Sequence, residues 1–89
     1  MTTLFVRHTV SDYAAWRKIY DSVADMQKKG GVIAEAVYRS IDNPNEVTVT
    51  HEFRSAEAAK AFAGAEELKS AMQRAGVVGA PTIWFAEKA

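Results

Sequence analysis

The order in which two hydrophobic periods follow each other is the feature that most restricts how this chain can fold. Over Leu4–Val10 apolar side chains recur at every second residue, which is typical of a β-strand. Over Tyr13–Met26 they recur at every third or fourth residue, which is typical of a helix with one apolar side. The same alternation then continues along the chain, with strand patterns at Val32–Ile41 and Glu46–Phe53, helical segments at Ala56–Ala63 and Glu66–Ala75, and a last strand at Thr82–Ala86. The predicted order is strand–helix–strand–strand–helix–strand.

Residues that start or stop regular structure stand at the ends of these patterns. Ser11 can cap the first helix by accepting a backbone N–H, and Asp12 complements the positive end of its dipole. Gly30-Gly31 ends that helix, because glycine accepts the left-handed conformation of a C-terminal cap. The other signals are a turn at Asp42-Asn43-Pro44-Asn45, a helix cap at Ser55, a loop bracketed by Gly76 and Gly79, and a strand start at Pro81.

This order of elements predicts a ferredoxin-like α+β fold, βαββαβ, with a four-stranded antiparallel sheet. Right-handed connections place both helices on one face, with the first and third strands at the centre. The other face would carry either Leu4 or Phe5 and either Ile83 or Trp84. Because such an apolar surface is unfavourable in water, we expect a second copy of the chain to cover it, giving a homodimer.

Composition narrows the range of functions. The chain has 89 residues, so residues 1–89 are expected to form a single domain, and it has no cysteine for a disulfide or a thiolate nucleophile. Eleven basic and eleven acidic residues balance each other without a basic stripe, which argues against nucleic acid as a partner. No apolar stretch approaches the length of a membrane span, and the N-terminus lacks the pattern of a signal peptide, so a cytoplasmic protein is expected.

Four short motifs stand out, namely Asp12-Tyr13-Ala14-Ala15-Trp16, Asn43-Pro44-Asn45-Glu46-Val47, Glu67-Leu68-Lys69-Ser70-Ala71-Met72 and Ala75-Gly76-Val77-Val78-Gly79. Together they resemble the dimeric α+β barrel superfamily, and within it the small bacterial antibiotic biosynthesis monooxygenase-like and cyclase-like proteins. The resemblance implies a homodimer whose two sheets close into a barrel, with any ligand between each sheet and its own helices. It also implies chemistry in which an acidic aromatic substrate is deprotonated and reacts with oxygen without metal or flavin.

Two histidines are the candidate catalytic residues. His8 shares a strand face with Val6 and Val10, and His51 shares one with Val49 and Phe53. If these faces meet the helices, both imidazoles point into the interior. A buried neutral imidazole beside an aromatic pocket is suited to act as general base for a phenol or enol.

Four aromatic residues are the candidate ligand-binding residues. Tyr13 and Trp16 lie on the apolar side of the first helix, and Tyr38 and Trp84 lie on strands. The structural alternative is that the aromatic residues simply build the core and that the histidines are satisfied core residues. Two histidines without cysteine or a suitably spaced carboxylate fall short of a metal site, and no phosphate loop is present, so neither metal nor cofactor is expected.

Two functions therefore remain open. One is a cofactor-independent oxygenase or cyclase acting on a small aromatic or polyketide-like compound, with His51 or His8 as base. The other is a non-catalytic homodimeric module that binds a small hydrophobic ligand. A cavity of a few hundred Å³ beside His51 would favour ligand binding, whereas close packing there would count against an enzyme.

Overall fold

The computed structural model describes all 89 residues and has four strands and four helices. In chain order they are β1 (Thr2–Val10), α1 (Tyr13–Ser22), α2 (Ala24–Lys29), β2 (Ala34–Arg39), β3 (Glu46–Phe53), α3 (Ala56–Ala63), α4 (Glu66–Arg74) and β4 (Val77–Glu87). The strands form one antiparallel sheet in the order β2-β3-β1-β4, with the first and third strands at the centre. The predicted ferredoxin-like α+β fold is confirmed. None of the helices is long and apolar enough to cross a bilayer.

The core lies between the sheet and the helices and has two parts. One part joins Leu4, Val6 and Phe53 of the central strands to Ala59 and Phe62 of α3. The other part joins strand residues to α1 and to the end of α4 through Val10, Trp16, Val47, Val49 and Ala75. Because β1 and β3 pair Val6 with Val49 and Leu4 with His51, both strands present the same alternate set of side chains to the helices.

The first helical segment differs from the prediction in two ways. It is divided at Val23, whose φ of −105° and ψ of 20° end α1 before α2 begins. Its N-cap is Asp12 rather than Ser11, because the Asp12 carboxylate accepts a hydrogen bond from the Ala14 N–H at 3.2 Å. The cap at Ser55 is confirmed by the hydrogen bond from the Ala58 N–H to Oγ at 3.2 Å.

The strands at the two edges of the sheet also differ from the prediction. β2 is shorter than predicted. β4 is longer than predicted, because it already begins at Val77. The prediction of a loop bracketed by Gly76 and Gly79 is therefore wrong. The register of β4 against β1 shifts between Arg7 and Thr9, which leaves extra residues on β4 around Gly79 and Pro81. Gly79 has a φ of 73°, and Pro81 lacks an N–H, so the strand continues through an irregularity that suits both residues.

The sheet face that points away from the helices, here called the free face, carries aromatic residues. Phe5 of β1 stacks on Trp84 of β4, with ring centroids 5.1 Å apart, and Tyr38 of β2 lies on the same face. Tyr38 is 58% exposed and Trp84 is 41% exposed. Of the alternatives that the sequence leaves open, Phe5 rather than Leu4 and Trp84 rather than Ile83 lie on the free face.

Candidate functional site

Both histidines face the helices from the two central strands. His8 is 6% exposed and His51 is 3% exposed, so neither imidazole is in contact with bulk solvent. They are offset along the sheet, since His51 is opposite Leu4 and His8 is opposite Val47 in the β1–β3 register. The two rings therefore stand at opposite ends of a floor that Val6 and Val49 form between them.

A row of aromatic rings from α1 connects the two imidazoles. The His8 and Trp16 ring centroids are 5.8 Å apart, and Trp16 stacks on Tyr20 at 4.9 Å. Tyr20 in turn lies parallel to His51, with centroids 6.2 Å apart and planes within 4°. Trp16 and Tyr20 are four residues apart on one helix, so one turn of α1 places both rings over the sheet.

A small apolar cavity lies between this row and α4. Its volume is about 40 Å³, which holds a few water molecules at most and is far below the few hundred Å³ of a typical ligand pocket. The walls are mainly hydrophobic and include both histidines. The lining residues are Val6, His8, Trp16, Ile19, Tyr20, Val23, Val49, His51, Leu68, Ala71, Met72 and Ala75.

Burial determines the protonation of the site. Desolvation lowers the pKa of His8 to about 4, and it lowers the pKa of His51 to about 4 against a smaller opposing effect of the Glu35 carboxylate. Burial, together with a hydrogen bond to Glu35, raises the pKa of the Tyr20 hydroxyl. At neutral pH the site therefore contains two neutral imidazoles and a protonated phenol.

Three imidazole nitrogens in the site have no hydrogen-bond partner in the protein. They are both ring nitrogens of His8 and Nδ1 of His51. A buried polar atom without a partner is unfavourable, and at a cavity wall it can be satisfied by a bound molecule. The arrangement can thus offer a ligand hydrogen bonds from two ends of an apolar space, and it can accept a proton.

His51 has a second set of contacts that His8 lacks. The Tyr20 hydroxyl lies 3.3 Å from His51 Nε2 and also donates a hydrogen bond to Glu35 Oε1. In the sequence, Tyr20 belongs to the apolar side of the first helix, and nothing marks Glu35 as its partner. The four-residue spacing from Trp16 could have indicated that Tyr20 lies beside it over the sheet. The hydrogen bond to Glu35, however, depends on how α1 lies across β2.

The other predicted ligand-binding residues lie outside the cavity wall. Tyr13 stacks on Trp16 at 5.7 Å, and the Arg39 guanidinium lies 3.8 Å from the Tyr13 ring centroid, so this tyrosine closes the end of the aromatic row. Tyr38 and Trp84 lie on the free face, on the other side of the sheet from the histidines. No three His, Asp or Glu side chains come close enough together to hold a metal ion.

Comparison with known proteins gives a consistent result. The family model described as antibiotic biosynthesis monooxygenase matches residues 8–74. No curated protein matches the chain. Among solved structures, a candidate antibiotic biosynthesis monooxygenase from Bordetella bronchiseptica superposes with a TM-score of 0.85 at 13% identity, covering 99% of this chain and 96% of that one.

Two further solved structures show the same fold. A candidate antibiotic biosynthesis monooxygenase from Caulobacter crescentus has a TM-score of 0.77 at 20% identity, with 99% of this chain and 89% of that one covered. A variant of SnoaB, a cofactor-independent oxygenase from Streptomyces nogalater, has a TM-score of 0.73 at 15% identity, with coverage of 99% and 94%. At these identities the structural likeness establishes the shared fold.

Proposed function

The chain belongs to the antibiotic biosynthesis monooxygenase family, and from that premise we propose that it is a cofactor-independent oxygenase acting on a small aromatic or polyketide-like compound. The observation that carries the proposal is the pair of buried imidazoles, with three unpartnered nitrogens, at the wall of one apolar cavity. An apolar site that keeps histidine neutral suits removal of a proton from an acidic phenol or activated C–H group.

We assign the role of base to His51 and a binding role to His8. The Glu35 carboxylate lies close enough to raise the proton affinity of His51, so an imidazolium formed there is stabilised. His8 has no such neighbour, and both of its nitrogens are free to hydrogen-bond an oxygen of the ligand. Trp16 is stacked between Tyr13 and Tyr20, so the edge of its ring would contact an aromatic substrate.

The overall reaction proposed balances without a further reductant. His51 takes a proton from an activated CH2 group, the resulting carbanion gives electrons to O2, and the imidazolium returns the proton to the peroxide that forms. Loss of water then leaves a carbonyl group, so one CH2 and one O2 give one C=O and one H2O. The four electrons that reduce the oxygen all come from the substrate carbon.

The size of the cavity requires a change of shape before an aromatic ring can bind. A volume of about 40 Å³ accepts a molecule the size of O2 or water. The wall most suited to move is α4, which has no side-chain cap at its N-terminus and contributes the flexible Leu68 and Met72 side chains. We propose that substrate enters as this helix is displaced outwards.

The small cavity also supports a second candidate function. A non-catalytic homodimeric module needs no room for a substrate of several rings. Close packing beside His51 is expected for such a module. In that case the histidines would bind a small hydrophobic ligand with one or two polar atoms, and no oxygen would be consumed.

We propose that the functional unit is a homodimer in which a second copy covers the free face. The stacked Phe5 and Trp84 rings and the exposed Tyr38 would otherwise lie in water. β4 is an edge strand, and its helix-facing Ile83 and Phe85 are 36% and 37% exposed, so this edge of the sheet also offers apolar surface to a partner. A chain this short gains stability when such surface is buried by association.

Oxygen consumption tests the catalytic proposal directly. A panel of one- to three-ring phenols with an activated CH2 group is incubated with the protein, and uptake of O2 is followed together with ¹⁸O incorporation into product. We expect uptake that is lost in His51→Ala, reduced in His8→Ala and retained in Tyr38→Phe, which changes a ring on the free face. Binding of the same phenols without oxygen uptake would support the non-catalytic module instead.

A further inference from the structure

Two residues from two other elements meet on the Nε2 side of His51. Strand pairing places Glu35 of β2 directly beside His51 of β3. Tyr20 of α1 reaches both, with its hydroxyl donating to Glu35 Oε1 and lying 3.3 Å from His51 Nε2. The contacts form a short hydrogen-bonded series that runs from the exposed Glu35 carboxylate, through the half-buried Tyr20 hydroxyl, to the buried His51 imidazole at the cavity wall.

The direction of the hydrogen bonds that link Glu35, Tyr20 and His51 can be deduced from the atoms present. A phenol has one proton, and here the Tyr20 hydroxyl directs it to the negatively charged carboxylate of Glu35, which gives the stronger, charge-assisted bond. The hydroxyl then has only lone pairs to offer His51, so Nε2 must carry the imidazole proton. Nδ1 keeps its lone pair, and it has no partner in the protein.

We propose that Tyr20 and Glu35 are positioning residues that hold His51 as the Nε2–H tautomer and make Nδ1 its basic atom. The proposal deepens the proposed function, because it rests on His51 being the base. When Nδ1 takes a proton from the substrate, Nε2–H stays bonded to Tyr20, and Tyr20 stays bonded to Glu35. Neither Tyr20 nor Glu35 gains or loses a proton in this step, and the Glu35 carboxylate stabilises the positive charge on the imidazole ring.

The other groups packed around His51 leave Glu35 as the carboxylate that faces it. From α1, the Arg17 guanidinium lies 5.3 Å from the Tyr20 ring centroid, and from β1 the neutral His8 stands at the far end of the cavity. The remaining elements contribute uncharged side chains, namely Gln27 of α2, Phe62 of α3, and Leu68 and Met72 of α4. The carboxylate effect on His51 is therefore opposed mainly by desolvation of the buried ring, and it should weaken with added salt because Glu35 is exposed.

The tautomer of His51 can be measured without a substrate. In ¹⁵N-labelled protein, the chemical shifts of the two ring nitrogens report which one carries the proton, and a pH titration from 3 to 8 gives the pKa. We expect the Nε2–H form to dominate at pH 7. Tyr20→Phe removes the acceptor for that proton and should shift the population towards the Nδ1–H form. Tyr38→Phe, on the free face, should leave it unchanged.

A second variant tests the charge and keeps the result clear if Tyr20→Phe does not fold. Glu35 is exposed, so Glu35→Gln should preserve the fold while lowering the proton affinity of His51 by up to about tenfold. Glu52→Gln, on the same sheet but with its side chain on the free face, is the matched control. A dominant Nδ1–H form in the unmodified protein, or an unchanged proton affinity in Glu35→Gln, would overturn the proposal.

The result separates this inference from the catalytic proposal. If the tautomer and proton affinity of His51 respond as expected but His51→Ala still consumes oxygen, then Tyr20 and Glu35 position a ring that is not the base. If oxygen uptake depends on His51 but neither variant changes its tautomer or proton affinity, the catalytic proposal stands and the positioning role is lost.

Discussion

Phe5 and Trp84 stack face to face on neighbouring strands, with ring centroids 5.1 Å apart and planes within 1° of parallel. The strands pair these two residues directly, and both rings lie on the free face of the sheet. Such a flat aromatic pair presents a broad apolar surface in a chain that has few other means of stabilisation.

Replacing Trp84 by Glu should therefore separate the proposed homodimer. A charge at the centre of a buried apolar contact is unfavourable unless it is paired, so we expect a shift to monomer at micromolar concentration. Sedimentation equilibrium measures the change. Ile41→Glu is the control, because Ile41 is 99% exposed in the turn after β2 and should leave association unchanged. A monomeric unmodified protein would refute self-pairing.

Acid should destabilise the fold through the two histidines. Their pKa values of about 4 lie below the ordinary value of 6.5, so the unfolded chain binds more protons than the folded one between these limits. The free energy of unfolding is then fully retained above pH 6.5 and falls as the pH drops towards 4, by up to about 3 kcal/mol per histidine. Urea unfolding at several pH values measures the loss.

His8→Leu provides the control for the acid prediction. His8 makes no hydrogen bond in the protein, so the leucine should keep or raise stability at pH 7. It should also remove about half of the loss between pH 6.5 and 4. An unchanged acid dependence in this variant would mean that other groups cause the destabilisation.

Gly30→Ala should destabilise the protein by about 1–3 kcal/mol, because it overpacks the core. A Cβ at Gly30 would lie 2.5 Å from Cδ1 of the buried Phe62, whose ring packs against Phe53 and His51. Gly64→Ala is a matched control, since the nearest atom to a Cβ there is 3.6 Å away. That change should be neutral or stabilise by about 0.5 kcal/mol. Equal melting temperatures for the two variants would contradict the packing argument.

Ala71→Val should block ligand binding while the fold remains. Ala71 lines the cavity, and two added carbon atoms would occupy much of its roughly 40 Å³. Ala61→Val, at an exposed position of α3, carries the same loss of helix propensity, about 0.5 kcal/mol, without entering the cavity. Binding of the phenol panel, followed by tryptophan fluorescence, should disappear in the first variant only. Retained binding would place the ligand elsewhere.

The fold was largely predictable because the local signals agree with one another. β3 begins and ends where its alternation does, at Glu46 and Phe53, since a strong turn precedes it and Ser55 caps the helix that follows. The predicted β4 is too short because Gly76 and Gly79 bracket an expected loop and Pro81 marks the expected start of the strand. Pairing with a central strand outweighs those local preferences, and the irregularity in register accommodates them.

The site was only partly predictable, for a geometric reason. The alternation of β1 and β3 was enough to place His8 and His51 on one face, because all the neighbouring residues on that face are apolar. Trp84 could not be assigned in this way, since both faces of β4 carry aromatic residues and only the register with β1 decides which face is covered. For Tyr38 it is the register of β2 with β3 that decides. The contact between Tyr20 and Glu35 depends on the position of α1 across the sheet, for which the chain carries no local signal.

The ring of Phe62 contacts two separate parts of the molecule, the end of α2 and the third strand. It lies against the bare backbone of Gly30, and it also makes a T-shaped contact with the imidazole of His51, with centroids 5.4 Å apart. A side chain introduced at position 30 would displace that ring, which is a packing neighbour of the imidazole. The absence of a side chain at the end of α2 is thus coupled, through one aromatic ring, to the seating of the imidazole.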